Sequence, residues 1–253
     1  MASMNHVVRS LRRCAANPSI SISRKYVAKH GEVEYAKSTA LLITCMDSRI
    51  NPHNFLKMDP GSTYIVRNPG NFILHADELQ SNESSPELAG LELAVNMQKV
   101  TDIIVCGHSD CKAIQGFRSL KQCCVPAENK ESPLVKWLQK NGERTWWKYL
   151  TEQENDGFSI MFDKMNYGKL QTRLDPGNHL CTTDRISQIN VLQQLENICS
   201  HKFLQNALQD KSCQLHGMWL DIAHNTVHIF NWELRRFVEL QHGRAQIPVQ
   251  SRT

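Results

Sequence analysis

Two hydrophobic periods alternate along this chain, one of strands and one of helices. Thr39-Ala-Leu-Leu-Ile-Thr-Cys45 is a short continuous apolar run closed by polar residues, the pattern of a strand buried on both faces in a parallel sheet. Ser62 to Val66 follows the turn signal Asp59-Pro60-Gly61 and reads as a second strand. Ser85-Pro86-Glu87 offers an N-cap, an N1 proline and a first-turn acid, after which Leu88, Leu91 and Val95 recur at helical spacing. Asp102-Ile-Ile-Val-Cys106 is another buried-strand run, so strand, helix and parallel strand form a βαβ unit. The expected fold class is α/β, a central and mainly parallel β-sheet flanked by helices, with an N-terminal helical arm.

Further along, the pattern weakens. Residues 120 to 180 carry Pro126, Pro133 and Pro176 among scattered charges, and Trp137, Trp146 and Trp147 there predict packed helices with core or interface anchors. Ile186, Ile189, Leu192, Leu195 and Ile198 form a helical stripe. Gly217 to Ile222 and Thr226 to Phe230 flank His224-Asn225 and predict a hairpin at the sheet edge. No internal repeat or low-complexity tract is visible.

Composition narrows the function classes. At 253 residues, 41% hydrophobic and 21% charged, the chain has enough apolar residues for one sizeable core. The net charge of +4 comes without a dense basic stripe interleaved with aromatics, which argues against nucleic acid as partner. No run suits a membrane span and no apolar stretch follows the first methionine, so neither membrane insertion nor secretion is expected. Nine cysteines at irregular spacing fit a reducing compartment better than a disulfide framework. Residues 1–36 stand apart: the first 31 hold Arg9, Arg12, Arg13, Arg24, Lys25 and Lys29 and no acid. Two readings stay open there, a transit segment to mitochondria or an amphipathic arm of an intracellular, cytoplasmic protein docking on a partner subunit. Residues 37–253 are the expected catalytic domain.

The chemistry sits at the strand ends. Cys45, Asp47 and Arg49 are spaced C-x-D-x-R, and His108 and Cys111 follow as H-x-x-C. Two thiolates and an imidazole are a three-ligand Zn²⁺ set that leaves the fourth tetrahedral position open. Both motifs fall at the C-terminal ends of predicted strands, where open α/β sheets place their ligands. The competing reading is a closed structural zinc site completed by Cys106 or Asp47, but a purely structural ion needs no Asp47–Arg49 pair beside it. Asp110 reads as the N-cap of the following helix.

With these motifs the chain resembles the β-class carbonic anhydrases, the animal-type members most closely. The likeness runs through Ile43-Thr-Cys-Met-Asp-Ser-Arg49, Tyr64-Ile-Val-Arg-Asn-Pro-Gly-Asn71 and Ile104-Val-Cys-Gly-His-Ser-Asp-Cys-Lys112, then Asp184-Arg-Ile-Ser-Gln-Ile-Asn190 and the final hairpin. The resemblance implies a carbonate dehydratase, a lyase that hydrates carbon dioxide reversibly to bicarbonate and a proton through a metal-bound hydroxide. It implies Cys45, His108 and Cys111 as zinc ligands and a catalytic dyad in which Arg49 holds the Asp47 carboxylate off the metal. It also implies a homodimer or larger assembly, and a hydrogen-bonding part for Asp110 around the site. A same-fold zinc hydrolase of carbon disulfide or carbonyl sulfide remains the alternative, and a non-catalytic structural zinc protein a more distant one. Two thiolates neutralise the charge of the ion, so activity is expected to rise toward alkaline pH.

Three residues are candidates for the substrate pocket. Gly70 would allow close backbone approach, although Asn68 to Asn71 also reads as a plain turn. Val66 and Phe72 would supply an apolar wall for a nonpolar gas. His53, His75, His224 and His228 could each relay a proton, and none is singled out. Leu42 stands where some bacterial members carry a tryptophan of a bicarbonate inhibition site, so the resemblance does not extend to that control.

Overall fold

The computed structural model describes residues 38–56, 58, 61–80, 84–123, 131–154, 159–165 and 168–240. The basic segment 1–36, Asp59-Pro60 and Pro126 lie outside the described residues. Strand β1 (Ala40–Cys45) is buried at every position because it has a parallel neighbour on each side, β2 (Thr63–Asn68) and β3 (Asp102–His108). Among the described residues the main sheet has the order β2-β1-β3-β6-β7-β8. β6 (Gln214–Asp221) is parallel to β3 with His108 opposite Leu220, whereas β7 (Thr226–Asn231) and β8 (Arg236–Glu239) close it as an antiparallel meander.

Two apolar layers cover the two faces. Leu41, Ile43, Ile103 and Val105 point to one, with Leu88 and Leu91 of helix α2 (Pro86–Glu92) and Ile189, Leu192 and Leu195 of the long helix Thr182–Cys199. Leu42, Cys45, Ile104 and Cys106 point to the other, with Ile114 and Phe117 of α3 (Lys112–Gln122) and with Phe72. Full burial of each such aliphatic side chain contributes about 1.5–3 kcal/mol. A one-turn helix α1 (Pro52–Phe55) follows β1, capped by Asn51. As expected, Ser85 caps α2 by accepting the Leu88 N–H and Pro86 stands at its start; the helix then widens into a π-helical turn at Leu93–Met97.

The middle segment departs from the expectation of helices alone. Helix α4 (Pro133–Glu154) carries all three tryptophans there, but Ile160–Met165 (β4) and Gly168–Thr172 (β5) pair as a separate antiparallel hairpin. Ile160 and Phe162 alternate, and a bulge before Met165 returns it to the same face, which β4 buries under the Thr182–Cys199 helix, labelled α5 here. The 214–231 hairpin is also not at the edge, because β8 pairs with β7 as a further strand, with Phe237 edge-to-face on Phe230. After α5 come a short 3₁₀ turn and α6 (Gln205–Gln209).

Helix α5 is buried all round. Ile186, Ile189, Leu192, Leu195 and Ile198 are inaccessible, and so in practice are Asn190, Gln193, Gln194 and Asn197. It lies close to β3 because Gly107 has no side chain: a Cβ there would meet Val191 Cγ2 at 2.7 Å.

Candidate metal centre

The parallel pairing of β1 with β3 brings Cys45 and His108, the last residues of both strands, to the same end of the sheet. A two-residue turn then returns the chain to Cys111, whose backbone is the N-cap of α3. One ligand atom from each of Cys45, His108 and Cys111 lies within 4.8 Å of the others, and all three residues are buried. The two sulfurs are 3.9 Å apart. His108 Nδ1 donates to the Ser109 carbonyl at 2.9 Å and the His108 carbonyl accepts from Ser187 Oγ at 2.8 Å, which fixes the ring's tautomer and the backbone beneath it. Its Nε2 has no hydrogen-bond partner although it is buried. A buried imidazole nitrogen left with its lone pair beside two thiols is an unmet demand for an electrophile.

Ionisation of the sulfurs points the same way. The Cys45 thiol is brought well down, chiefly by the hydrogen bond from Cys111; burial opposes this, and His108 and the Gly70 amide assist. The Gly70 N–H donates to Cys45 Sγ at 3.4 Å. Cys111 is pushed up by the same contact with Cys45 and by burial. The sulfurs therefore share one proton, and a dication would supply the charge that lets both ionise. The soft S₂N donor set fits zinc. Cys106 is no part of the cluster: it is fully buried on the strand, its thiol pushed up to about 12 by burial.

Asp47 and Arg49 stand in the loop after β1. Arg49 Nε donates to Asp47 Oδ1 at 2.9 Å and Nη2 to Oδ2 at 2.7 Å, while the Arg49 amide donates to Oδ1 at 3.0 Å. The guanidinium holds the Asp47 carboxyl well below the usual carboxylate range. Asp110 is not the N-cap of α3, contrary to the sequence expectation, because Cys111 takes that position. Its backbone is left-handed (φ 51°), so its side chain turns to Arg49 Nη1 at 2.7 Å and to Lys112 Nζ at 2.9 Å.

The chain matches the carbonic anhydrase family over residues 40–227. Beta carbonic anhydrase 1 of Caenorhabditis elegans is 38% identical over 225 residues, covering 86% of this chain and 83% of that protein. The carbonic anhydrase of Pseudomonas aeruginosa is 28% identical over 201 residues, covering 79% and 77%. Among solved structures, the β-carbonic anhydrase CcaA superposes with a TM-score of 0.61 at 25% identity, covering 81% of this chain and 84% of that one. The chain belongs to the β-class carbonic anhydrases. It is therefore a carbonate dehydratase, as the motifs had implied.

Around the centre of this β-carbonic anhydrase, the other expected residues fall as follows. Gly70 (φ +86°) sits directly above the Cys45 sulfur, and a Cβ there would stand 2.5 Å from Phe72 Cε2. Phe72 is wholly buried behind Gly70, in the layer that holds Cys45 and Cys111, so it supports the loop from below. Val66 does not line the centre: it pairs in register with Ile43 and, like it, packs in the layer of α2, where a Cβ on Gly90 would meet Val66 Cγ2 at 2.8 Å, whereas Cys45 at the strand end packs in the other layer. Of the histidines, His53 is exposed on α1, His75 is a buried cap, His228 packs edge-on to Trp219, and exposed His224 pairs with Asp221 at 2.7 Å.

Two supporting features escaped the sequence reading. Arg67, at the end of β2, donates to the carbonyls of Cys45 (3.1 Å), Asp47 (2.8 Å) and Ile50 (3.2 Å), clamping the loop that carries the dyad. Its signal was an arginine inside an apolar run, directly before Asn-Pro-Gly. Asn190, Gln194 and Asn197 of α5 hold the 70–73 loop: Asn190 Nδ2 donates to Gly70 O, Gln194 Oε1 accepts from Ile73 N, and Asn197 Nδ2 donates to Ile73 O. Their i, i+4, i+7 spacing was legible as a polar stripe on the side of the helix away from Leu192 and Leu195.

Proposed function

We propose that this chain holds one zinc ion through Cys45, His108 and Cys111 and with it hydrates carbon dioxide reversibly to bicarbonate and a proton. The observation that carries the metal is the unpartnered, buried His108 Nε2 beside two sulfurs that share a proton. When bound, zinc supplies the Lewis acidity that makes water a nucleophile at neutral pH. Asp47 is ionised at every physiological pH, so its oxygens can accept the nucleophile's hydrogen and aim its lone pair at the carbon of the substrate. Arg49 keeps that carboxylate charged and occupied on its far side. The Gly70 N–H stabilises the thiolate of Cys45, and the Nδ1 bond to Ser109 holds His108 with Nε2 free to ligate.

Assembly into at least a dimer is part of the proposal. Met46, between Cys45 and Asp47, is 59% exposed, an apolar side chain at the edge of a buried site that a second copy would cover. Light scattering on the purified chain tests this.

Metal content and stopped-flow carbon dioxide hydration, measured on one sample, test the function. One zinc per chain and activity rising toward alkaline pH are expected. Cys111→Ser should lose metal and at least about a hundredfold in kcat/KM; full hydration activity in that variant would remove the mechanism.

A further inference from the structure

We propose that Asp184, in the first turn of α5, is a positioning residue for the catalytic dyad: it holds the backbone of Asp110, Asp110 holds Arg49, and Arg49 keeps the Asp47 carboxylate from becoming a metal ligand. The inference rests on the zinc reading above and adds to it a residue outside both metal motifs.

Arg49 and Asp47 form an ion pair that is partly open to water, with the arginine side chain 38% exposed. Such a pair alone contributes little and exchanges readily. Arg49, however, is gripped from a second side. Its Nη1 donates to Asp110 Oδ2 at 2.7 Å and its Nη2 to the Asp110 carbonyl at 2.9 Å. A guanidinium held by one partner through a carboxylate and a carbonyl presents a fixed fork to the other. Arg49 is thus a post to which Asp47 is tied, provided that Asp110 itself stays in place.

Asp110 adopts φ 51°, a left-handed conformation that aspartate tolerates better than most L residues and that a bond to its amide can hold in place. Such a bond comes from α5: the Asp110 N–H donates to Asp184 Oδ1 at 2.7 Å. Lys112 Nζ occupies Asp110 Oδ1 and leaves Oδ2 to Arg49. Since α5 is buried along nearly its whole length, Asp184 is mounted on a helix anchored in the core. The path from Asp184 to Asp47 therefore runs through three named contacts and joins the loop after β1, the turn after β3 and helix α5.

The test measures binding of acetazolamide, a sulfonamide that needs the open metal position, by calorimetry on zinc-loaded protein. Asp184→Ala should weaken binding about tenfold or more, while Asp184→Asn, which keeps an oxygen for the Asp110 amide, should stay within about threefold of wild type. In an Asp47→Ala background no carboxylate remains to close the site, so adding Asp184→Ala should leave affinity unchanged. The proposal is overturned if Asp184→Ala binds like wild type, or if its loss persists without Asp47, which would mark a merely structural role. Failure of the wild-type protein to bind acetazolamide at all would overturn the zinc reading and this inference with it.

Discussion

Arg49 and Asp47 meet through both guanidinium and carboxylate edges, at 2.9 and 2.7 Å, and a third bond runs from the Arg49 amide to the same carboxylate. Two residues apart in the loop after Cys45, they keep an ionised carboxylate near the ligands without leaving its charge unpaired. Arg49→Ala removes the two side-chain bonds and the charge. The freed Asp47 can then turn to the metal, and kcat/KM should fall about tenfold to a hundredfold with zinc retained. Stopped-flow hydration with metal analysis checks this; undiminished turnover would show that the pair is only a surface salt bridge.

Gly70→Ala should damage both stability and the centre. The backbone at φ +86° disfavours any Cβ, and the Phe72 ring already occupies the space that the methyl would take, at 2.5 Å. A cost of about 1–3 kcal/mol is expected from the conformation, with further loss of metal affinity as the amide shifts from Cys45 Sγ. Thermal unfolding and a competitive zinc titration measure the two effects. Adding Phe72→Leu should recover part of the stability by relieving the contact, but not the part due to φ.

The βαβ unit, the caps at Ser85 and Pro86 and the convergence of Cys45, His108 and Cys111 were legible because each rests on local pattern or on a fixed rule of sheet topology. Hydrophobic runs at Thr39 to Cys45 and Asp102 to Cys106 suit central strands, and a right-handed crossover then aligns their C-terminal ends. Side-chain direction was less legible. Val66 follows its partner Ile43 to the α2 side, while Cys45, two residues beyond Ile43, leaves the strand's alternation and packs in the other layer, which no period of two foretells. The β4–β5 hairpin was hidden because Met161 is apolar on the exposed face and a bulge between Phe162 and Met165 breaks the alternation. Contacts between distant segments, such as Arg67 on the Cys45 carbonyl or Asp184 on the Asp110 amide, leave no local pattern at all.

Stability should fall in mild acid. His201 is 2% exposed, donates Nε2 to the Leu74 carbonyl at 2.9 Å and has its pKa lowered by burial; burial lowers His75 and His228 likewise. The folded chain therefore refuses protons that the unfolded chain accepts below about pH 6.5. The stabilisation is complete above that pH and is lost as pH falls through the unfolded value toward the folded one, by at most about 1.4 kcal/mol per pH unit per histidine. The melting temperature should drop between pH 7 and 5, and His201→Gln, which keeps a donor for Leu74, should flatten that slope. An equal slope in the variant would sink the assignment.

The polar stripe of α5 gives the sharpest test of how the core serves the site. Asn190 is fully buried and takes part in three bonds: its Nδ2 donates to Gly70 O at 2.9 Å, and its Oδ1 accepts from Thr145 Oγ1 and from Gln194 Nε2, each at 2.8 Å. Asn190→Leu keeps the volume but strands a carbonyl, a hydroxyl and an amide inside the protein. Each stranded group costs about 1–3 kcal/mol, so a loss of several kcal/mol is expected in chemical denaturation. Asn190→Asp separates packing from chemistry. It restores the acceptor for Thr145 and Gln194 but cannot donate to Gly70, so it should recover stability only in part. The Gly70 loop, no longer tied to α5, should then hold its amide less firmly on Cys45. A competitive zinc titration on that variant reads the effect directly, and wild-type zinc affinity in it would show that the stripe stabilises the fold without setting the metal centre.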